Sequence, residues 1–236
     1  MFFIPILVAI IIAVIIINNN VQFKKSTYHT VTGNTYSKTV HDKGKLGEYQ
    51  IYKKLMYLEK EGAKFLFNVY LPRENGETTE CDVILIAPKG IIVFESKNYS
   101  GWIFGDERYK TWTQTLSQGK GRPALKEKFF NPVMQNKLHI DYLVKATNGR
   151  YPIYSIVAFS ERCELKKVSI YSNNVQVIKR NEIQSAVANI FNYNAPCISV
   201  QEIEGIYSSL LPYTQVSNEV KQQHIQNIRD KHSPWN

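Results

Sequence analysis

Residues 81–97 decide the reading. They run Cys81-Asp82-Val83-Ile84-Leu85-Ile86-Ala87, then Pro88-Lys89-Gly90, then Ile91-Ile92-Val93-Phe94-Glu95-Ser96-Lys97. Two apolar runs of strand length flank a Pro/Gly turn, the pattern of a β-hairpin. In an antiparallel pair closed by a tight turn, partner numbers share a constant sum. With Ala87 opposite Gly90 that sum is 177, and Asp82 falls opposite Glu95. Directly opposed side chains have Cβ atoms about 4.5–5.5 Å apart. Residues two apart on a strand share a face, so Lys97 lies beside Glu95. Carboxylates placed in this way repel each other unless something positive sits between them. A divalent cation fits, and hard Mg²⁺ prefers carboxylate oxygens while keeping several waters. Lys97 could then orient or deprotonate a metal-bound water, or offset charge on a phosphate. The alternative is an ordinary exposed face on which Glu95 and Lys97 pair with each other. Glu-x-Lys alone is uninformative: Glu164-Leu165-Lys166 and Glu219-Val220-Lys221 repeat it without an apolar strand or an aspartate across a hairpin.

Outward from the hairpin, two helices bring further polar groups. Residues 44–61 read as a helix stopped by Gly62, and Glu48, Tyr52 and Leu55 follow an i, i+4, i+7 stripe along it. Glu48 therefore belongs to the inward face, or else complements the helix dipole from the first turn. Asn131-Pro132 is an N-cap followed by proline at the first helical position, opening a helix to about Lys145. On it Gln135 shares a face with Leu138 and Tyr142, unless it is a plain surface residue.

The rest of the chain supplies strands at 66–71 and 153–159, a short strand at 175–178, and one or two strands within 98–113. Helices follow at 181–191 and, from a Ser199-x-x-Glu202 capping box, up to Pro212. This alternation predicts an α/β domain with a mixed sheet. Residues 18–41 read as a polar linker, the domain as 42–212, and 213–236 as a polar, weakly helical tail.

Phe2 to Ile17 is an uncharged apolar run of sixteen residues. As a helix it rises roughly 24 Å, against a hydrocarbon core of ~30 Å. The expectation is one N-terminal transmembrane anchor over 2–17. Nothing basic precedes the run, as a signal peptide would require. Lys24, Lys25, Lys38, Lys43 and Lys45 follow it, which places the N-terminus outside and the body on the cytoplasmic side of the cell membrane.

The 29 Lys and Arg against 20 Asp and Glu give a net charge of +9, all of it beyond residue 22. Such a body favours a polyanion, either nucleic acid or an anionic membrane face. Lys120, Arg122, Lys126 and Lys128, read as one Gly/Lys/Arg-rich loop over 117–128, are candidate DNA-phosphate contacts or a solvated loop. Trp102, Trp112 and Tyr109 could stack on bases or pack in the core. Cys81, Cys163 and Cys197 include no C-x-x-C pair, which excludes a disulfide framework or zinc cluster and fits a reducing compartment. No Ser/His/Asp or Cys/His set and no Gly-rich phosphate loop appears.

Taken together, Gly44-x-x-Gly47-Glu48, Cys81-Asp82, Gly90-Ile91-Ile92-Val93-Phe94-Glu95-Ser96-Lys97-Asn98, Gly101-Trp102-Ile103, Trp112 and Asn131-Pro132-x-x-Gln135-Asn136 resemble the NERD (nuclease-related) domain, over residues 42–145. That domain is a branch of the PD-(D/E)xK nuclease superfamily. The resemblance implies a restriction-endonuclease-like mixed sheet flanked by helices, and Mg²⁺-dependent (or Mn²⁺-dependent) cleavage of DNA. It implies that Asp82 and Glu95 hold the metal, that Lys97 acts on the water, that Glu48 completes the acidic site and that Gln135 positions metal, water or phosphate. Two positions depart from the family pattern: Cys81 stands where a polar residue is more usual, and Ser96 where an aliphatic one is.

Overall fold

A computed structural model describes residues 3–231. The chain opens with helix α1 (Phe3–Lys24), then α2 (Thr27–Thr32), α3 (Tyr36–His41) and α4 (Lys43–Leu55). Strands β1 (Lys64–Pro72), β2 (Thr78–Ala87), β3 (Gly90–Lys97), β4 (Gly101–Asp106), β5 (Thr111–Leu116) and β6 (Leu125–Phe130) follow. Helix α5 (Pro132–Ala146) leads to β7 (Ile153–Phe159), β8 (Cys163–Ser169) and β9 (Val175–Lys179), and the chain ends in α6 (Ile183–Tyr193), α7 (Val200–Leu210) and α8 (Asn218–Lys231).

The fold is mixed α/β with two sheets. The first has the order β1-β2-β3-β7-β9, with β1–β3 antiparallel and β7 and β9 parallel to β3. One face, carrying Val83, Leu85, Ile92 and Phe94, packs on Ile51, Tyr52 and Leu55 of α4 and on α6. The other, carrying Ile84, Ile86, Ile91 and Val93, packs on Leu143 of α5 and on α7. The second sheet has the order β6-β5-β4-β8. Its inner face, with Ile103 and Trp112, packs on Val133 of α5 and on Val157 and Phe159 of β7. Gly105 faces Trp112, and a Cβ there would overlap the indole.

Two element ends are as the sequence suggests: Asn131 caps α5 ahead of Pro132, and Ser199 and Glu202 form a capping box on α7. Asp42 adds a cap on α4. Gly62 adopts a left-handed conformation (φ 87°) after a 3-10 turn at Met56–Glu61.

Several expectations change. Residues 18–41 are no linker: α1 runs on to Lys24, and Ser26 and Thr35 cap two short helices. Phe23 and Tyr28 are fully buried against Tyr49, Tyr52 and Phe67. Helices of one or two turns are too short to show a period, which hid them. Lys126 and Lys128 stand not in a loop but on β6, where Leu-Lys-Glu-Lys-Phe-Phe pairs with β5. The strand at β8 was not foreseen, its Cys-Glu-Leu-Lys-Lys-Val-Ser sequence being too polar to read as one. On α5 the buried face is Pro132, Val133, Asn136, His139 and Leu143, while Leu138 is exposed.

The transmembrane expectation is not supported. No helix among the described residues is long and apolar enough to cross a membrane. The physical reason is length: spanning takes roughly 20 consecutive apolar residues, and α1 becomes polar from Asn18 onward. The described apolar side chains of α1 are nonetheless exposed, Leu7, Val14 and Ile17 by 59%, 59% and 62%.

Candidate active site

The hairpin register is the one expected, with Ala87↔Gly90, Ile86↔Ile91, Leu85↔Ile92, Ile84↔Val93 and Val83↔Phe94. It stops one step before Asp82 and Glu95. There the Asp82 carboxylate turns across the gap and accepts the Ser96 backbone N–H at 2.7 Å. The β1–β2 ladder has a matching interruption. Phe67 pairs with Val83 and Val69 with Cys81, but Asn68 and Asp82 are not paired, and Asn68 has a φ of 51°. Asparagine tolerates that left-handed backbone better than other residues with a Cβ. The strand faces exchange at this point: Phe67 and Val83 belong to the α4 side, Val69 and Cys81 to the α5 and α7 side. Cys81 is therefore a buried core residue with its thiol pushed well up, by burial first and then by neighbouring carboxylates.

Side chains from three further elements converge on the interruption. Glu95, 1% exposed, binds Lys97 Nζ through Oε1 at 2.7 Å and stands 3.2 Å from His139 Nε2 through Oε2. Lys97 Nζ also donates to Gln135 Oε1 at 2.9 Å. Glu48, 7% exposed, accepts the Tyr28 hydroxyl at 3.2 Å. Gly47 lets α4 come this close, because a Cβ there would overlap Ser96 Oγ.

The charges are strongly biased. Burial, reinforced by Glu95 and then Glu48, pushes Asp82 well above the usual carboxylate range. Burial, with Glu80 adding repulsion, pushes Glu48 up to about 7. Burial also raises Glu80, which is 23% exposed at its side chain. Glu95 goes the other way: burial favours the neutral acid, but the Lys97 ammonium and the His139 contact outweigh it and hold the pKa low. Burial likewise opposes the charge on Lys97, yet Glu95 and Asp82 keep its pKa raised.

Among the described residues no group of three or more His, Cys, Asp or Glu side chains is arranged to hold a metal ion. The donor chemistry nevertheless fits a hard divalent cation. Asp82 and Glu95 raise each other's energy at one spot, and Mg²⁺ commonly takes one or two carboxylates and completes its shell with water and phosphate.

Glu80 and His139 escaped the sequence reading. Glu80 lies two residues before Asp82 on the same strand, and His139 four after Gln135 on the same helix. Either spacing could have drawn attention to them. His139 is 4% exposed, with Nδ1 2.6 Å from Thr79 Oγ1. The other sequence candidates stand apart. Trp112 is core, Trp102 and Tyr109 are 49% and 65% exposed, and Lys120 and Arg122 lie on the β5–β6 loop.

Residues 43–160 match the nuclease-related domain family. A Bacillus anthracis protein whose name describes it only as uncharacterized is 31% identical over 189 residues, covering 80% of this chain and 85% of that one. The chain belongs to the NERD family. The NERD match begins at α4 and ends just past β7, so it holds the whole interrupted hairpin with Glu48, Gln135 and His139. No solved structure matches the chain.

Proposed function

We propose that this NERD protein is a metal-dependent deoxyribonuclease that hydrolyses phosphodiester bonds. The observation that carries the proposal is a cluster of acids around one lysine, at the point where the β1–β2 ladder is interrupted and the β2–β3 pairing ends. Asp82 and Glu95 would hold a divalent cation, with Glu48 completing the acidic side. Such a cation supplies Lewis-acid polarisation of a phosphate oxygen and lowers the pKa of bound water. Lys97, steadied by Gln135, stands where it can orient the attacking water or balance charge developing on the phosphate. The nuclease family and the net charge of +9 support DNA as the substrate. The exposed apolar side chains of α1 support a further part of the proposal, that this helix embeds in a lipid surface, and the lysines that follow it, from Lys24 to Lys45, support tethering of the body at the cytoplasmic face. Flotation of the chain with vesicles, lost on removing residues 1–17, is the expected result there.

One observation favours a second reading, a DNA-binding module without cleavage: both Glu95 oxygens are already engaged, by Lys97 and His139. Plasmid cleavage by the full chain with Mg²⁺ or Mn²⁺, beside Asp82→Ala and Lys97→Ala, separates the two. Cutting by wild type and by neither variant supports the nuclease. DNA binding without cutting under either metal leaves the binding module.

A further inference from the structure

The second sheet has an outer face that the proposed hydrolytic site does not use. Its composition follows from register. Lys126 pairs with Thr115, and Thr115 with Trp102; Lys128 pairs with Thr113, and Thr113 with Phe104. Paired residues share a face, so these six form two rows across three strands. The alternate residues Ile103, Trp112, Phe129 and Leu165 pack inward, which puts the two rows on the other face, where Thr115 lies covered beneath its neighbours. On the fourth strand Lys166 places its ammonium 5.2 Å from the centre of the Trp102 ring, and Lys167 pairs with Phe104. Trp102 is 49% exposed, and all four lysines are exposed. Among the outward residues of these rows only Glu164, which binds Lys166, carries negative charge.

We propose that this face binds single-stranded DNA, with a base stacked on Trp102 and phosphates running along the lysine rows. The proposal deepens, and rests on, the reading of the neighbouring site as acting on DNA. Three features favour an unpaired strand. The half-exposed indole offers a stacking plane once the flexible Lys166 side chain swings from over the ring to a phosphate, and paired bases in a duplex do not reach it. The lysines flank the aromatic rows on both sides, matching a backbone that passes over the bases. The face also begins next to the site: Trp102 follows Lys97 by five residues, so the two lie within about 17 Å along the chain at roughly 3.3 Å per residue.

Binding is measured by fluorescence anisotropy with a labelled oligo(dT), using the full chain in nonionic detergent with EDTA, so that cleavage plays no part. Trp102→Ala should raise Kd about tenfold and Trp102→Phe should retain most of the affinity. Lys126→Ala with Lys128→Ala should lower the slope of log K against log salt by about 1.4, at roughly 0.7 per phosphate. Trp102 fills no core space, so its loss leaves folding intact, and a circular dichroism spectrum checks this. Unchanged Kd in both the Trp102→Ala and the double-lysine variants overturns the proposal, as does a blunt duplex of equal length binding as tightly as the single strand. Tighter binding of oligo(rU) than of oligo(dT) overturns the choice of DNA. Because EDTA removes catalysis, loss of binding with cleavage intact sinks the surface alone, and intact binding without cleavage sinks the nuclease alone.

Discussion

Glu48→Gln isolates the energetic cost of the acidic site. Glu48 is 7% exposed and faces Glu80, and its pKa rises from the ordinary 4.5 to about 7. The unfolded chain therefore releases this proton at a lower pH than the folded chain does. Between pH 4.5 and about 7 the folded state binds more protons, so stability falls as pH rises through that window and levels off above it. The gap, at roughly 1.4 kcal/mol per pH unit, amounts to about 3 kcal/mol once Glu48 is ionised. Glutamine keeps the shape and can still accept the Tyr28 hydroxyl, but has no proton to lose. The advantage of Glu48→Gln over wild type should then grow by about 2–3 kcal/mol from pH 5 to pH 8.5. The assay is urea unfolding of both full chains with EDTA at the two pH values. Taking the difference between variants at each pH cancels the titration of groups common to both. A difference that stays constant within about 0.5 kcal/mol would show that Glu48 is not ionised against its surroundings, and the reasoning would fail. Adding Mg²⁺ should shrink the wild-type pH dependence, because a cation at the site stabilises the charged acid.

Three other substitutions test the packing that positions the site. Phe23→Ala empties the aromatic cluster joining the N-terminal helices to α4 and should destabilise the chain by about 3–5 kcal/mol in urea unfolding; a surface residue in a linker would give almost nothing. Gly105→Ala drives a methyl group into the Trp112 indole and should cost about 1–3 kcal/mol, accompanied by a change in tryptophan fluorescence. Asn68→Ala forces an ordinary residue into a left-handed backbone, whereas Asn68→Gly does not. The alanine variant should unfold about 1 kcal/mol more easily than the glycine variant, and equal stability would mean that the positive φ carries no strain.

The sequence carried the hairpin well because its information is local. A Pro-Lys-Gly turn and two apolar runs set the register for five pairs, and the i, i+4, i+7 stripe correctly buried Glu48, Tyr52 and Leu55. The capping residues Asn131 and Ser199 were legible for the same reason, since each acts on the next three residues. What stayed hidden depends on distant partners. Phe23 and Tyr28 count as core only because Tyr49 and Phe67 come to meet them. β8 is a strand only because β4 offers it a parallel edge. Lys126 and Lys128 looked like loop residues until β5 paired with them. His139 gains meaning only when Thr79 and Glu95 close on its two ring nitrogens.

The interruption at Asp82 shows the same division within one site. The hairpin sum of 177 names Asp82 and Glu95 as partners, but it cannot tell where pairing ends. That is decided on the neighbouring strand β1, where Asn68 turns to φ 51° and leaves Asp82 without a ladder partner. Freed there, the Asp82 carboxylate takes the Ser96 N–H that a strand carbonyl would otherwise accept. A side chain thus replaces a backbone acceptor, and the gap opens to Glu48 from α4 and to Gln135 and His139 from α5. A hairpin selected for stability alone would continue its ladder and place apolar or oppositely charged residues at these positions. Here the ladder is broken, Glu48, Glu80 and Asp82 are each held against a raised pKa, and one lysine stands among them. Strain and repulsion concentrated at one point of an otherwise regular sheet fit the proposed site for a cation and a phosphate.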